Sequence, residues 1–296
     1  MLKSERNIPS LVSTEWLTDN LGKQDVKVVD VSHPLPSTGK NAAVEFAKKH
    51  IPGGIFLDQS RLSMPNSIYP NTVANPEHFS EIIAENGLSN ADHIIAYDAD
   101  GIGAAPRAWW LFNYFGHHHI SVLDGGLKKW VAEGRSTESG NAHPAIKSVF
   151  SAQCSPKMLA SYQEVIDINL SHLIGNTNTK QIVDARSKGR FLGLDPEPNP
   201  SIPSGHMAGS INLPWTALIN PVDGTLLSKD LLLKVFADHG VDVNVPLIAT
   251  CGTGVTACVI LIALDSIGAC DCSLYDGSWS EWASRNANEI IVTQRG

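Results

Sequence analysis

The chain has 296 residues, with 22 Lys and Arg against 30 Asp and Glu, a formal net charge of −8 and five cysteines. That length passes the roughly 250 to 300 residues at which a single core stops growing, so two domains of about 150 residues are expected. An acidic balance without a block of like charge excludes a dedicated nucleic-acid or anionic-membrane surface, while a local basic pocket for a small anion remains open.

At the amino terminus MLKSERNIPS has charges and a proline where a secretory signal needs an apolar run, so none is expected. The longest apolar run, Ala257 to Leu264, is far below the roughly 20 residues that span a bilayer, and no membrane span is expected. The cysteines at 154, 251, 258, 270 and 272 form neither CxxC pairs nor a dense framework. Reduced thiols in a cytoplasm fit that pattern.

Along the chain the first half reads KVVDVS (27–32), KHIPGGIFLD (49–58), HIIAYDADG (93–101) and SVLDGGLKKW (121–130). The second half repeats the order as QIVDARS (181–187), GHMAGSINLPW (205–215), PLIATCGTG (246–254) and SLYDGSWSEW (273–282). One unit is therefore used twice. Within each unit, short apolar runs alternate with helix-like stretches such as EHFSEIIAENG and SKDLLLKVFADHG, whose glycines Gly87 and Gly240 read as helix stops. The pattern predicts an α/β fold: two tandem domains, each a mostly parallel sheet with helices on both faces. Residues 133–156 lose all periodicity. The expected boundaries are a first domain at 1–140, a linker at 141–156 and a second domain at 157–296.

Ligands of such sheets collect at the carboxyl ends of strands, beside helix N-termini. In the second unit that turn is Cys251-Gly252-Thr253-Gly254-Val255-Thr256-Ala257, between the strand PLIAT and an apolar helix. Two glycines let successive N–H groups curl inward, and the helix terminus adds about half a positive charge. The cradle favours an anion, so a cysteine within it is a nucleophile candidate through its thiolate. The alternative at this point is a buried cysteine in an ordinary turn. Cys258 falls on the apolar helix, and Cys270 and Cys272 flank an expected strand; these read as structural.

The tandem unit, with FAKKHIPGG, LDGGLKKW, GHMAGSINLPW, CGTGVTA and YDGSWSEW in order, resembles the two-domain rhodanese-type sulfurtransferases over nearly the whole chain. The CGTGVTA loop is more similar to 3-mercaptopyruvate sulfurtransferases than to thiosulfate:cyanide rhodaneses, whose loop carries Arg-Lys after the cysteine. The resemblance implies a persulfide on Cys251, loaded from a small anionic sulfur donor. It is discharged to cyanide, a small thiol or a dithiol protein such as thioredoxin, and no metal or organic cofactor is needed. The first unit carries Asp98 where the second has Cys251, as in the inactive amino-terminal domain of the family.

The resemblance also assigns supporting roles. Arg190 matches the arginine that binds the anionic end of the donor, for which a guanidinium fork is suited. Arg186 reads first as an internal strut at the Asp184 end of its strand and second as a donor contact. Thr253 matches a serine whose hydroxyl polarises or protonates the leaving enolate. Gly252, Gly254, Val255 and Thr256 supply the loop that holds the donor, and Thr256 is expected to cap the following helix. Three positions depart from the mercaptopyruvate pattern: Asn199 stands where a second arginine is usual, and Ser60 and Asn71 where an Asp and a His are.

Outside the family pattern, His117-His118-His119 reads as a loop before a strand rather than a metal site, and Trp109-Trp110 as core. His50 and His206 recur in both units, which points to structural roles. A phosphatase would need Arg six residues after Cys251, where Ala257 stands. A non-enzymatic persulfide carrier in a protein relay is the other alternative.

Overall fold

The computed structural model describes residues 8–34, 38–141, 145–176, 180–269, 271–285 and 291–293. Five parallel strands form the first sheet: β1 (Leu11–Val12), β2 (Val26–Asp30), β3 (Ile55–Phe56), β4 (His93–Tyr97) and β5 (Ile120–Leu123), in the order β1-β5-β4-β2-β3. The second sheet repeats that order with β6 (Leu159–Ala160), β7 (Gln181–Asp184), β9 (Ile211–Asn212), β10 (Leu247–Thr250) and β11 (Cys272–Tyr275), arranged β6-β11-β10-β7-β9. β8 (His206–Met207) pairs antiparallel with β12 (Ile291–Val292). The expected α/β duplication is what the chain folds into. Among the described residues no helix is long and apolar enough to cross a membrane.

Alternation along each strand sorts its side chains between two cores. In β4, Ile95 and Tyr97 pack with Leu17 of α1 (Thr14–Asn20) and Trp130 of α5 (Gly126–Ala132). Ile94 and Ala96 face the other way, toward α3 (Pro76–Glu85) and α4 (Ala105–Tyr114). The second sheet does the same: Ile248 joins Trp279 and Trp282 of α10 (Ser278–Arg285), beside α6 (Tyr162–Leu173). Leu247 and Ala249 face α8 (Lys229–Asp238) and α9 (Ala257–Ile267). The inner core runs unbroken from one domain to the other, because α4 packs on α9 and every residue of α4, Trp109 and Trp110 included, is buried.

Local chemistry sets the helix ends. Asn75 and Ser161 accept from the N–H of His78 and Glu164, capping α3 and α6. Gly87 and Gly240 follow α3 and α8 with φ of 73° and 77°, the left-handed turn glycine makes without a Cβ penalty. His50 and His206 do the same job in each repeat. Each Nδ1 meets a carbonyl, of Phe46 or Phe191, at 2.8 Å, and each ring stacks on that phenylalanine at 4.0 or 3.9 Å.

The stretch read as a linker lies along the first domain. Ser148 N–H donates to Ala84, Gln153 N–H to Phe115 and Ser155 N–H to Tyr114, while Phe150 is buried. Cys270 falls outside the described residues; Cys154, Cys251, Cys258 and Cys272 are free thiols.

Candidate active site

Cys251 directly follows β10 and is 2 % exposed, at the carboxyl edge of the second sheet where it meets the first domain. The loop it opens is held by its carbonyls. Trp279 N–H, from α10, donates to the Cys251 carbonyl at 3.0 Å, and Ser280 donates its N–H and its hydroxyl to the Gly252 carbonyl at 3.1 and 2.8 Å. The Gly254 carbonyl accepts from Arg107 Nη1 at 3.3 Å and from the Cys258 thiol at 3.4 Å. Because a peptide unit is planar and trans, a carbonyl fixed outward sends the following N–H inward. The N–H groups of Gly252, Thr253 and Val255 are thereby aimed at the loop's centre, the arrangement that stabilises an anion.

Ser278 sets the other wall. It occupies the left-handed region with φ 52° while fully buried, a strain of the kind that collects at functional sites. Its hydroxyl accepts from Cys251 N–H at 3.3 Å and donates to the Tyr275 carbonyl at 2.9 Å.

Arg190, on the short helix α7 (Lys188–Phe191), lies against the loop: a Cβ on Gly252 would come within 2.8 Å of its Nη2. Glu197 holds Arg190 through Nε and Nη2 and takes Arg186 Nη1 at 2.8 Å with its other oxygen. Arg186 is 2 % exposed. Its remaining bonds go to Asp184 and the Gly205 carbonyl, and its guanidinium stacks 4.3 Å over Trp279. These contacts match the strut and leave no surface for a donor.

Thr253 receives the Asn71 side-chain amide at 3.0 Å. Since its oxygen accepts there, its own proton is free for another partner. Ser60 is elsewhere occupied, donating to Asp58 at 2.6 Å. Asn199 is exposed and accepts from Ser201 N–H and hydroxyl at 3.1 and 2.8 Å, a turn former that does not replace a second arginine. Thr256 departs from expectation. It stands at the cap of α9 without a side-chain bond, because its backbone is already helical (φ −72°, ψ −16°) and a capping hydroxyl needs an extended residue. In the histidine run, His117 Nε2 meets the His119 carbonyl and His118 Nδ1 the Asn113 side chain; among the described residues no metal-holding cluster forms.

The first domain has a different arrangement at the equivalent turn. The Asp98 carboxyl group accepts from Ala104 and Ala105 N–H at 2.6 and 2.7 Å, so the chain's own side chain fills the turn before α4. Burial pushes its pKa up to about 7 against the pull of those two amides.

With this geometry in view, a rhodanese-like domain model matches residues 13–133 and again 169–285. The chain belongs to the two-domain rhodanese sulfurtransferases. The sulfurtransferase is 38 % identical over 291 residues to mouse 3-mercaptopyruvate sulfurtransferase, spanning 96 % of this chain and 95 % of that one. It is also 38 % identical over 294 residues to rat thiosulfate sulfurtransferase, with the same coverage. The crystal structure of SseA from Escherichia coli, titled for the fold and mechanism of 3-mercaptopyruvate sulfotransferases, superposes with a TM-score of 0.82. That match has 33 % identity and covers 92 % of this chain and 99 % of that one.

Glu197, Ser278, Arg107 and Asp276, which pairs with Arg107 at 2.7 Å, belong to this site without being expected from the sequence. Only Arg107 carried a signal, as the one cation in the apolar run APRAWWLF, where a buried charge requires a partner.

Proposed function

We propose that the sulfurtransferase takes its sulfur from 3-mercaptopyruvate. The observation that carries this is the Thr253 hydroxyl, engaged as an acceptor by Asn71, which leaves its proton for the leaving group. The Cys251 thiolate attacks the thiol sulfur of the donor, and the carbon–sulfur bond breaks with its electron pair moving into the enolate of pyruvate. Thr253 donates a hydrogen bond to that enolate, which takes a proton from solvent, and Cys251 is left as a persulfide. Loop N–H groups hold the anion at each stage, stabilisation of the oxyanion-hole kind, while Arg190 pairs with the donor carboxylate. A thiolate or cyanide then attacks the outer sulfur and releases Cys251.

Thiosulfate is the second reading, favoured by the absence of a second arginine at Asn199. A dithiol protein such as thioredoxin as acceptor and a cytoplasmic location are part of the same reading, in keeping with four free thiols among the described residues.

Steady-state comparison of the two donors, with cyanide and a dithiol as acceptors and Cys251→Ser as blank, is the test. A kcat/KM advantage of tenfold or more for 3-mercaptopyruvate is expected, about 1.4 kcal/mol in the transition state. An advantage for thiosulfate moves the assignment to that donor. Activity only when a protein donor is supplied makes the chain a relay carrier.

A further inference from the structure

Arg107 stands in the domain without a nucleophile, on α4, and is 2 % exposed. Its guanidinium reaches out of that domain. Nη2 pairs with Asp276 Oδ1 at 2.7 Å and donates to the Asn71 carbonyl at 2.6 Å, while Nη1 donates to the Gly254 carbonyl at 3.3 Å. Asp276 turns its second oxygen to Val73 N–H at 2.6 Å. One buried cation therefore ties the catalytic loop, the segment that carries Asn71 and the Asp276 turn to each other.

We infer that Arg107 is a positioning residue for the sulfur transfer, acting through the peptide between Gly254 and Val255. That peptide draws its strong anchor from outside its own domain. Gly254 has φ 80° and no side chain to resist rotation, whereas the carbonyls of Cys251 and Gly252 are each held by α10 of their own domain. With the Gly254 carbonyl drawn toward Arg107, the Val255 N–H points into the cradle. Released, the peptide can turn over and present a carbonyl oxygen to the thiolate or persulfide, replacing attraction by repulsion. The Cys258 thiol also reaches this carbonyl at 3.4 Å, but S–H is a weak donor. The same guanidinium fixes Asn71 by its backbone, so a single residue of the first domain sets both the anion cradle and the orientation of Thr253.

This inference rests on Cys251 being the sulfur carrier, and the test separates the two. Arg107→Lys keeps the charge beside Asp276 but cannot span three acceptors as a planar fork. In the variant, kcat is expected to fall at least tenfold with KM for the anionic donor within about threefold, since losing one preorganised donor outright costs about 10²–10³. Alkylation of Cys251 by iodoacetamide, which needs no sulfur donor, should reach half its plateau rate at a pH about 0.5 to 1 unit higher than in the parent. Arg107→Gln, read the same way, covers the case in which the lysine variant does not fold. A merely structural role would lower the melting temperature and leave the alkylation profile in place, and that outcome, or an unchanged kcat, overturns the inference. If the parent protein turns over no donor, the function reading fails, while the alkylation profile still decides the role of Arg107.

Discussion

The side-chain amide of Asn71 lies 3.0 Å from the hydroxyl of Thr253, although 182 positions separate them in the chain and they belong to different domains. An asparagine cannot exchange a proton as a histidine would, but it can decide which way a hydroxyl faces. Where the family pattern has a histidine, this chain therefore has one orienting contact and leaves one donor, the Thr253 hydroxyl.

Thr253→Val, which removes the donor, is expected to lower kcat for 3-mercaptopyruvate by about 10²–10³, the loss typical of a single preorganised donor. Asn71→Ala should cost about tenfold, because the hydroxyl survives unoriented. Thiosulfate, whose leaving sulfite forms no enolate, should feel both changes less. Equal losses for the two donors would show that Thr253 serves the loop rather than the leaving group.

Arg190→Ala should raise KM for either anionic donor by about ten- to a hundredfold, the equivalent of one charged hydrogen bond of roughly 1.5–3 kcal/mol. Initial rates over a wide donor range measure this directly, and an unchanged KM takes Arg190 out of the pocket.

Glu197→Gln tests the carboxylate shared by two guanidinium groups. Arg186 is buried with it, and breaking a buried pair from one side costs about 3–5 kcal/mol. Urea denaturation should show that loss, together with a raised KM as Arg190 loosens. A variant as stable as the parent would mean that Asp184 alone neutralises Arg186.

The pH dependence of stability has a definite sign. Burial raises Asp98 to about 7 and Asp124 to about 6, both above the usual value near 3.9 of an unfolded chain. The folded protein therefore binds more protons than the unfolded chain across that interval. The stability these groups favour is complete below about pH 4 and is lost as pH rises through about 6 and about 7. Between pH 5 and 8 the melting temperature of the parent should fall relative to that of Asp98→Asn, in which this group no longer titrates. A parallel slope in parent and variant contradicts the assignment.

Much of this was legible in the chain because repetition and glycine placement are local signals. The Cys251 loop, the glycine stops at 87 and 240, and the buried tryptophans of α4 all follow from spacing and residue type. The partners that give the loop its shape are not local. Glu197 sits in a polar stretch, DPEPNPS, that reads as surface, and only the fold turns it inward between two arginines. Ser278 looked like one more serine until its left-handed backbone placed it behind Cys251. Thr256 misled in the opposite sense, since residue type suggested a cap that backbone geometry denies.

Each half of the duplication lends the other an acceptor. Asp124 takes the Leu226 N–H at 2.8 Å from across the boundary, and Asp276 takes the Val73 N–H in the mirror-related place. A gene trimmed to its cysteine-bearing half would thus leave the buried Asp276 carboxylate facing water and the Leu226 N–H unclaimed. The half without a nucleophile thus completes the polar bonding that its partner buries.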